Sequence, residues 1–513
     1  MTMTVTFATK TPLICALAGL SLLAPACADD VSTDGTETTL AGTAGTEASD
    51  AGSGSEDEVG TTVSDTGTDG TGTTESSTEA SEDGTESTAD SDASDGGVKF
   101  DVAVEDETGV STTGGPGLGS CRPSEIYGAA GGFPEFEDPA YANFLDHTVA
   151  IVTSRNSNNS VIHVVDISGD PPPPNMNYLA PVYKNPAWTE ANVGRIFGLT
   201  LDSEGNMYVA PTTVYGGNSS PATIKRVDHI TGALSDFATL PNNGPAMGNL
   251  NYDCVSETIY VSSHEDGRIY QLDMDGQVVS TYRHSDGDVT MGLANDPGEP
   301  DGQFVPLGDR VWAVQSHAGR LYYSVWWEDT GRKSDANENE VWSVAYADED
   351  GIPDPATAKF EFSIPGLNNN TYSNPVSDIS FAATGWMLVS ERTMTGDAST
   401  SAHQSTTYEY DYINGTWVLQ GTTYVIGELP NSASGGVDHD FEEGGYVWMT
   451  GDALDFYTPD VVYGIQGTPY GGGTILNSTI IDLDNEVTGQ DKTVYGDIEL
   501  PIPGDANPVP PPT

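Results

Sequence analysis

The sequence predicts an all-β fold, a six-bladed β-propeller preceded by a disordered acidic stalk, and three observations carry that prediction. An apolar β-run recurs six times, each run is followed by a strand closing on an acidic residue and a turn, and the segment before the first run has almost no large apolar side chains. Four-stranded sheets repeated in this way bury their faces by packing radially, and no helical periodicity of useful length competes.

At the amino terminus Lys10 precedes the apolar run Leu13 to Leu23 and small residues before Cys27. This is the layout of a signal peptide over residues 1–27, too short for a permanent membrane span. The segment Leu23-Ala24-Pro25-Ala26-Cys27 resembles a bacterial lipoprotein signal with Cys27 as the acylated residue, although Ala24 stands where that motif prefers Leu. Cleavage after Ala26 without acylation is the competing reading. The expected location is therefore outside the cytoplasm, lipid-anchored in the outer membrane, at the cell surface or in the periplasm, or else secreted. Residues 28–119 are Ser, Thr, Gly, Ala, Asp and Glu with Lys99 the one basic side chain. Such a segment cannot offset the roughly 1–2 kcal/mol per residue that backbone ordering costs, so it reads as an extended stalk.

Across the 513 residues 17 Lys plus Arg face 77 Asp plus Glu, a formal charge of −60. Nucleic acid is excluded as a partner, and a membrane is reached only through a lipid anchor, because both surfaces require clustered basic residues.

The clearest copy of the repeat is Gly198 to Pro211, where Leu199 and Leu201 alternate with polar residues, Ser203 to Asn206 turn, and Met207 to Ala210 resume the apolar run. Its second half recurs as Val149–Ser154, Ile259–Ser263, Leu321–Val325, Trp386–Ser390 and Tyr446–Thr450. The acidic-turn strands are Val164–Gly169, Arg226–Gly232, Gln271–Gly276, Tyr346–Gly351, Glu409–Gly415 and Ile480–Asn485, where Asp or Asn accepts turn amides and Gly supplies positive φ. The repeats place the propeller within residues 120–500 and a Pro-rich tail at 501–513. Ring closure has two candidates, Tyr141–Asp146 as the first inner strand or Thr493–Ile498 joining from the carboxy terminus.

The Gly-Leu-x-Leu-Asp, short turn and Asn-Met-Tyr-Val-Ala of this stretch resemble a blade of the six-bladed propellers of the NHL, TolB-like and SMP-30 (gluconolactonase) kind. Aligned inner strands put Gly198, Asn249, Val311, Asp378 and Asp438 at equivalent positions, and Asn249, Asp378 and Asp438 offer oxygens suited to Ca²⁺ at the channel mouth. The resemblance implies such a metal in kind only, since the Glu of the SMP-30 lactonases near their first strand has no counterpart. Satisfying backbone amides is the other use for these residues.

Cys121 and Cys254 are expected to form a disulfide, worth roughly 4–5 kcal/mol in the chain-entropy model, with two buried free thiols the alternative. The loops joining second to third strands are long and lie on one rim, including Val214 to Pro221, Trp327 to Glu340, Thr393 to Thr407 and Asp452 to Pro459. Trp326 and Trp327 offer stacking surfaces there, and the second-strand exits add His264, Glu265, Glu328, Glu391, Arg392 and Asp452. No nucleophile elbow, zinc helix, phosphate loop or dinucleotide fingerprint occurs. The function expected is that of a monomeric binding module for a surface ligand, glycan or protein. The alternative is a Ca²⁺-dependent lactonase or esterase with His264 or Glu391 as base.

Overall fold

The computed structural model describes residues 132–501, apart from residues 146 and 423 and the segments 156–159, 169–176, 217–221, 329–336, 366–372, 383–384, 441–444, 456–460 and 484–492. The signal peptide, Cys27, the stalk, Cys121 and the tail beyond residue 501 lie outside the described residues.

Six antiparallel sheets form the ring. Blade 1 comprises Val494–Glu499, Val149–Arg155, Ile162–Asp166 and Val182–Tyr183, and blade 2 comprises Ile196–Leu201, Met207–Pro211, Thr223–Val227 and Leu234–Thr239. Blade 3 runs Met247–Asp253, Thr258–Ser263, Arg268–Asp273 and Val278–Arg283, with Asp288–Met291 as a fifth strand. Blade 4 is Arg310–His317, Arg320–Trp326, Glu340–Ala345 and Lys359–Ser363; blade 5 is Val376–Phe381, Met387–Glu391, Thr407–Ile413 and Thr416–Leu419. In blade 6 the order is Ala433–His439, Tyr446–Asp455, Val462–Pro469 and Thr479–Asp482. The first strand named in each blade is the innermost, and these six strands contact one another in cyclic order.

All six recurring apolar runs are second strands, buried on both faces, which is why they read as continuous apolar stretches. Five of the acidic-turn signatures end third strands, as expected. Ile480–Asn485 differs: it falls on the fourth strand of blade 6, and Val462–Pro469 is the third.

The carboxy-terminal strand closes the ring, Val152 pairing with Ile498 and Ser154 with Tyr495. Tyr141–Asp146 is not a strand. Its described residues form turns whose Tyr141 and Phe144 rings join Phe136, Tyr183 and Trp188 in an aromatic cluster, with centroids 4.8–5.4 Å apart. Three backbone bonds of 2.7–2.9 Å, from Gly132, Glu135 and Glu137, pin this strap to the turns of blade 2. Blade 1 also lends Asn177–Tyr178 to blade 6, in parallel with Thr479–Asp482. Cys254 is buried and disulfide-bonded.

Near the axis each inner strand carries a bulge against its second strand. A bulge leaves a backbone N–H without its ladder partner. In four blades a hydroxyl on the second strand takes that N–H and donates its own proton to the inner strand of the next blade. Thr153 accepts from Asp497 N and donates to Phe197 O, at 2.8 and 2.6 Å. Ser262 bridges Asn249 N to Trp312 O, Ser324 bridges Ala313 N to Val376 O, and Thr450 bridges Gly436 N to Gly496 O. Ser377 makes the corresponding link from blade 5 to Gly435 O, at 3.0 Å. Blade 2 has Ala210 at this position and lacks the hydroxyl.

The strands approach so closely here that a Cβ on Gly496 would lie 2.5 Å from Thr153 Oγ1 and 3.1 Å from Phe197 Cα. Thr450→Val keeps the shape but orphans a buried N–H and a buried carbonyl, and is expected to cost about 1–3 kcal/mol. Thermal unfolding checks this: the variant should melt a few degrees lower, whereas Thr223→Val on an outer strand of blade 2 should leave the midpoint nearly unchanged.

Candidate functional site

The pairing register sets which inner-strand residues are equivalent. Leu199, Leu250, Val314, Ile379, Val437 and Ile498 pair with corresponding positions of their second strands. The channel layer one residue earlier is therefore Gly198, Asn249, Ala313, Asp378, Gly436 and Asp497. One residue later lies a second layer, Thr200, Asn251, Gln315, Ser380, Asp438 and Glu499, because side chains two apart share a face. Asp438 thus belongs one layer deeper than Asp378, and Ala313 takes the place expected for Val311.

Short polar side chains in both layers bond forward around the ring. Asp497 accepts from Leu199 N at 3.2 Å, Asp378 from Val437 N at 2.8 Å and Asp438 from Leu500 N at 2.8 Å. Thr200 accepts from Tyr252 N and Asn251 from Ser316 N in the same way. The other oxygen of each Asp accepts the next amide in its own strand, at 2.8–3.0 Å. Ser380 also donates to Asp438 at 2.7 Å, and Asn249 Nδ2 donates to Asp378 at 3.2 Å. Asn249 therefore presents its amide nitrogen, not its oxygen, to Asp378. As a donor set for Ca²⁺ the three residues do not fit: the carboxylate oxygens are taken by amide and hydroxyl hydrogens, and Asn249 Oδ1 accepts from Leu250 N.

Four carboxyls meet in this channel, because closure brings Asp497 and Glu499 beside Asp378 and Asp438. Burial raises Asp378 to about 6 and Asp438 to about 7. Asp497 and Glu499 are pushed well above the carboxylate range by burial and then by the neighbouring carboxyls. Asp378 and Asp497 hydrogen-bond each other, which requires a proton between them.

Above the layers an aromatic plug crosses the axis. Phe197 of blade 2 lies 5.3 Å from Trp312 of blade 4, Trp312 lies 5.8 Å from Trp326, and Tyr215 and Met394 from rim loops complete the cluster. The rim loops fold inward, and this changes the standing of the second-strand exits. His264, Glu265, Glu391, Arg392 and Asp452 are all buried rather than displayed. Glu265 accepts from Asn243 N and Gly244 N, Glu391 from Thr406 N, and Asp452 binds Arg392 at 2.8 Å, so these carboxylates cap loop backbone and hold neighbouring blades. Glu391 is raised by its burial and by Glu328. His264 packs against Trp312 with neither ring nitrogen partnered, and burial lowers it to about 3, so it stays neutral.

Trp326 is fully buried beneath the Arg310 guanidinium, 4.5 Å from its ring. Trp327 and Glu328 remain half-buried, Trp327 bonding Glu340 at 3.0 Å and Glu328 accepting from Asn374 N at 2.6 Å. His439 points away from Asp438, toward Tyr470, as strand alternation requires.

One acidic group on the rim can offer ligands to a metal: carboxylate oxygens of Glu265, Glu299 and Asp301 lie within 4.8 Å of one another. On the opposite face a cleft of about 510 Å³ between blades 2 and 3 is lined by Asp202, Glu204, Tyr208, Arg226, Tyr252 and Glu257 among others.

The class of protein so defined is an all-β, six-bladed propeller with a hydrogen-bonded polar channel and an inward-folded rim. No protein-family model and no curated protein matches the sequence. Solved structures that it resembles include a periplasmic gluconolactonase of Pseudomonas aeruginosa, at 15% identity and TM-score 0.40, covering 71% of this chain and 99% of that one. The nidogen/laminin complex aligns at 11% and 0.35 over 69% and 98% of the two chains. A Bacteroides uniformis protein described as a 6-phosphogluconolactonase aligns at 12% and 0.35 over 68% and 82%. At these values the likeness is one of fold, and the blade count rests on the strand pairing of this chain.

The raised carboxyls fix a pH dependence. A carboxyl whose folded pKa exceeds the unfolded value near 4 stabilises the fold below that pH, and the contribution is lost as pH rises through the folded value. Glu499 makes no hydrogen bond among the described residues, so Glu499→Gln removes a titrating group and little else. Melting temperature should fall as pH rises from about 4 to 8, and fall less steeply in Glu499→Gln; identical slopes would remove Glu499 from the cluster.

Proposed function

We propose that this chain is an exported, lipid-anchored propeller that binds a surface ligand, a glycan or a protein, across its loop-rich rim. The observation that carries the reading is the commitment of the channel oxygens. Asp378, Asp438 and Asp497 spend their acceptors on amides and hydroxyls of their own and neighbouring blades, beneath an aromatic plug. A ligand then meets the protein from outside, on the rim, where Trp327 and Glu328 are half-buried and Glu299 and Asp301 exposed. The leader-like residues 1–27 and the acidic segment 28–119 favour display away from a membrane.

A second reading, a Ca²⁺-dependent lactonase or esterase, is favoured by the Glu265, Glu299 and Asp301 group. In that case the metal belongs on the rim, not in the channel.

A glycan array probed with the purified protein, with and without EDTA, separates the two. Binding that survives EDTA and falls at least about tenfold when residues 327–340 are shortened is the expected result. Hydrolysis of a lactone panel that EDTA abolishes and Glu299→Gln weakens would instead establish the second reading.

A further inference from the structure

Basic side chains are scarce in this acidic chain, and the described arginines are almost all committed. Arg195 binds Glu190, Arg226 binds Asn206, Arg268 and Arg283 bind Asp296, Arg310 binds Asp397 and Arg392 binds Asp452. Arg320 donates to Ser343 and to the Thr357 carbonyl. Arg155 alone among the described arginines has no hydrogen bond or ion pair.

Its position makes this costly. Arg155 ends the second strand of blade 1, opposite Val494, on the same rim as the long loops. The side chain is half-buried, and its pKa is lowered first by that burial and second by the Arg195 guanidinium beside it. Arg195 cannot swing away, since Glu190 holds its Nε at 2.8 Å and the Tyr215 and Gly216 carbonyls hold Nη1. Arg195 Nη2 has no partner among the described residues. Glu190 neutralises only one charge of the pair, and two guanidiniums in partial burial repel unless an anion lies between them.

We infer that Arg155 and Arg195 form a binding site for an oxyanion carried by the ligand of this rim. A fork of N–H donors matches a carboxylate or a phosphate in two-point geometry, and the half-buried position strengthens the contact relative to open solvent. The ligand class this selects is an acidic one, such as a uronic-acid glycan or a phosphorylated glycan. The inference rests on the binding role of the rim and adds the charge its ligand must bear.

Calorimetric titration of the full chain with D-glucuronate and with inorganic phosphate tests the site and separates the two oxyanions. Saturable binding of one or both is expected, reduced at least about tenfold in Arg155→Gln, less in Arg155→Lys, and unchanged in Arg320→Gln on the opposite face. Arg155→Gln should melt no lower than the wild type without anion, because it removes a repulsion; a variant that melts lower would contradict the account. Absence of saturable binding to either probe, or equal binding by Arg155→Gln, would overturn the site. Oxyanion binding without glycan binding would keep the site and remove the glycan reading, whereas array binding indifferent to Arg155→Gln would do the reverse.

Discussion

The ring depends on how polar side chains serve the crowded axis. Six inner strands converge there, and their bulges leave backbone N–H groups that no ladder can use. Thr153, Ser262, Ser324 and Thr450 solve this with one hydroxyl apiece, accepting within their own blade and donating to the next. Asp378, Asp438 and Asp497 repeat the device from the channel side. A hydrogen bond to a charged or buried partner contributes more than a surface one, and leaving its donor unpaired costs more still. The polar channel is therefore part of the scaffold.

This reading of the channel also explains where the carboxyl cluster comes from. Asp378 and Asp438 are recruited by amides of blades 6 and 1, and the closing strand adds Asp497 and Glu499 for the same architectural reason. Four acidic groups then share a small space, and protons take the place of a counter-ion. Closure by the carboxy-terminal strand, the aromatic strap at 132–144 and the lent strand Asn177–Tyr178 all act on the two blades where the chain begins and ends.

Much of the fold was legible in the sequence. The six second strands are buried on both faces, so they stand out as apolar runs, and the turn chemistry of Asp228 and Asp273 marks the strands that precede it. Ring closure was open because Val494–Glu499 lies far from the strands it joins. That same gap hid Asp497 and Glu499, although Gly496-Asp497-Ile498 repeats the Gly248-Asn249-Leu250 pattern and could have been aligned. The candidate site was read less well. Bulges shift residues between layers without altering the alternation, which displaced Val311 and Asp438 from their expected equivalences. Burial of His264, Glu391 and Arg392 follows from loops that fold inward, and loop direction leaves no periodic signal. Arg155 carries no motif at all; only the absence of a partner in three dimensions distinguishes it.

Native-state amide exchange tests the central claim most directly, because it reports on the N–H groups that the channel carboxylates are said to hold. The Val437 and Leu500 amides should exchange only through global unfolding, at rates that added Ca²⁺ or EDTA leaves unchanged. Exchange of these amides on the timescale of exposed loops, or protection that appears only with Ca²⁺, would contradict it.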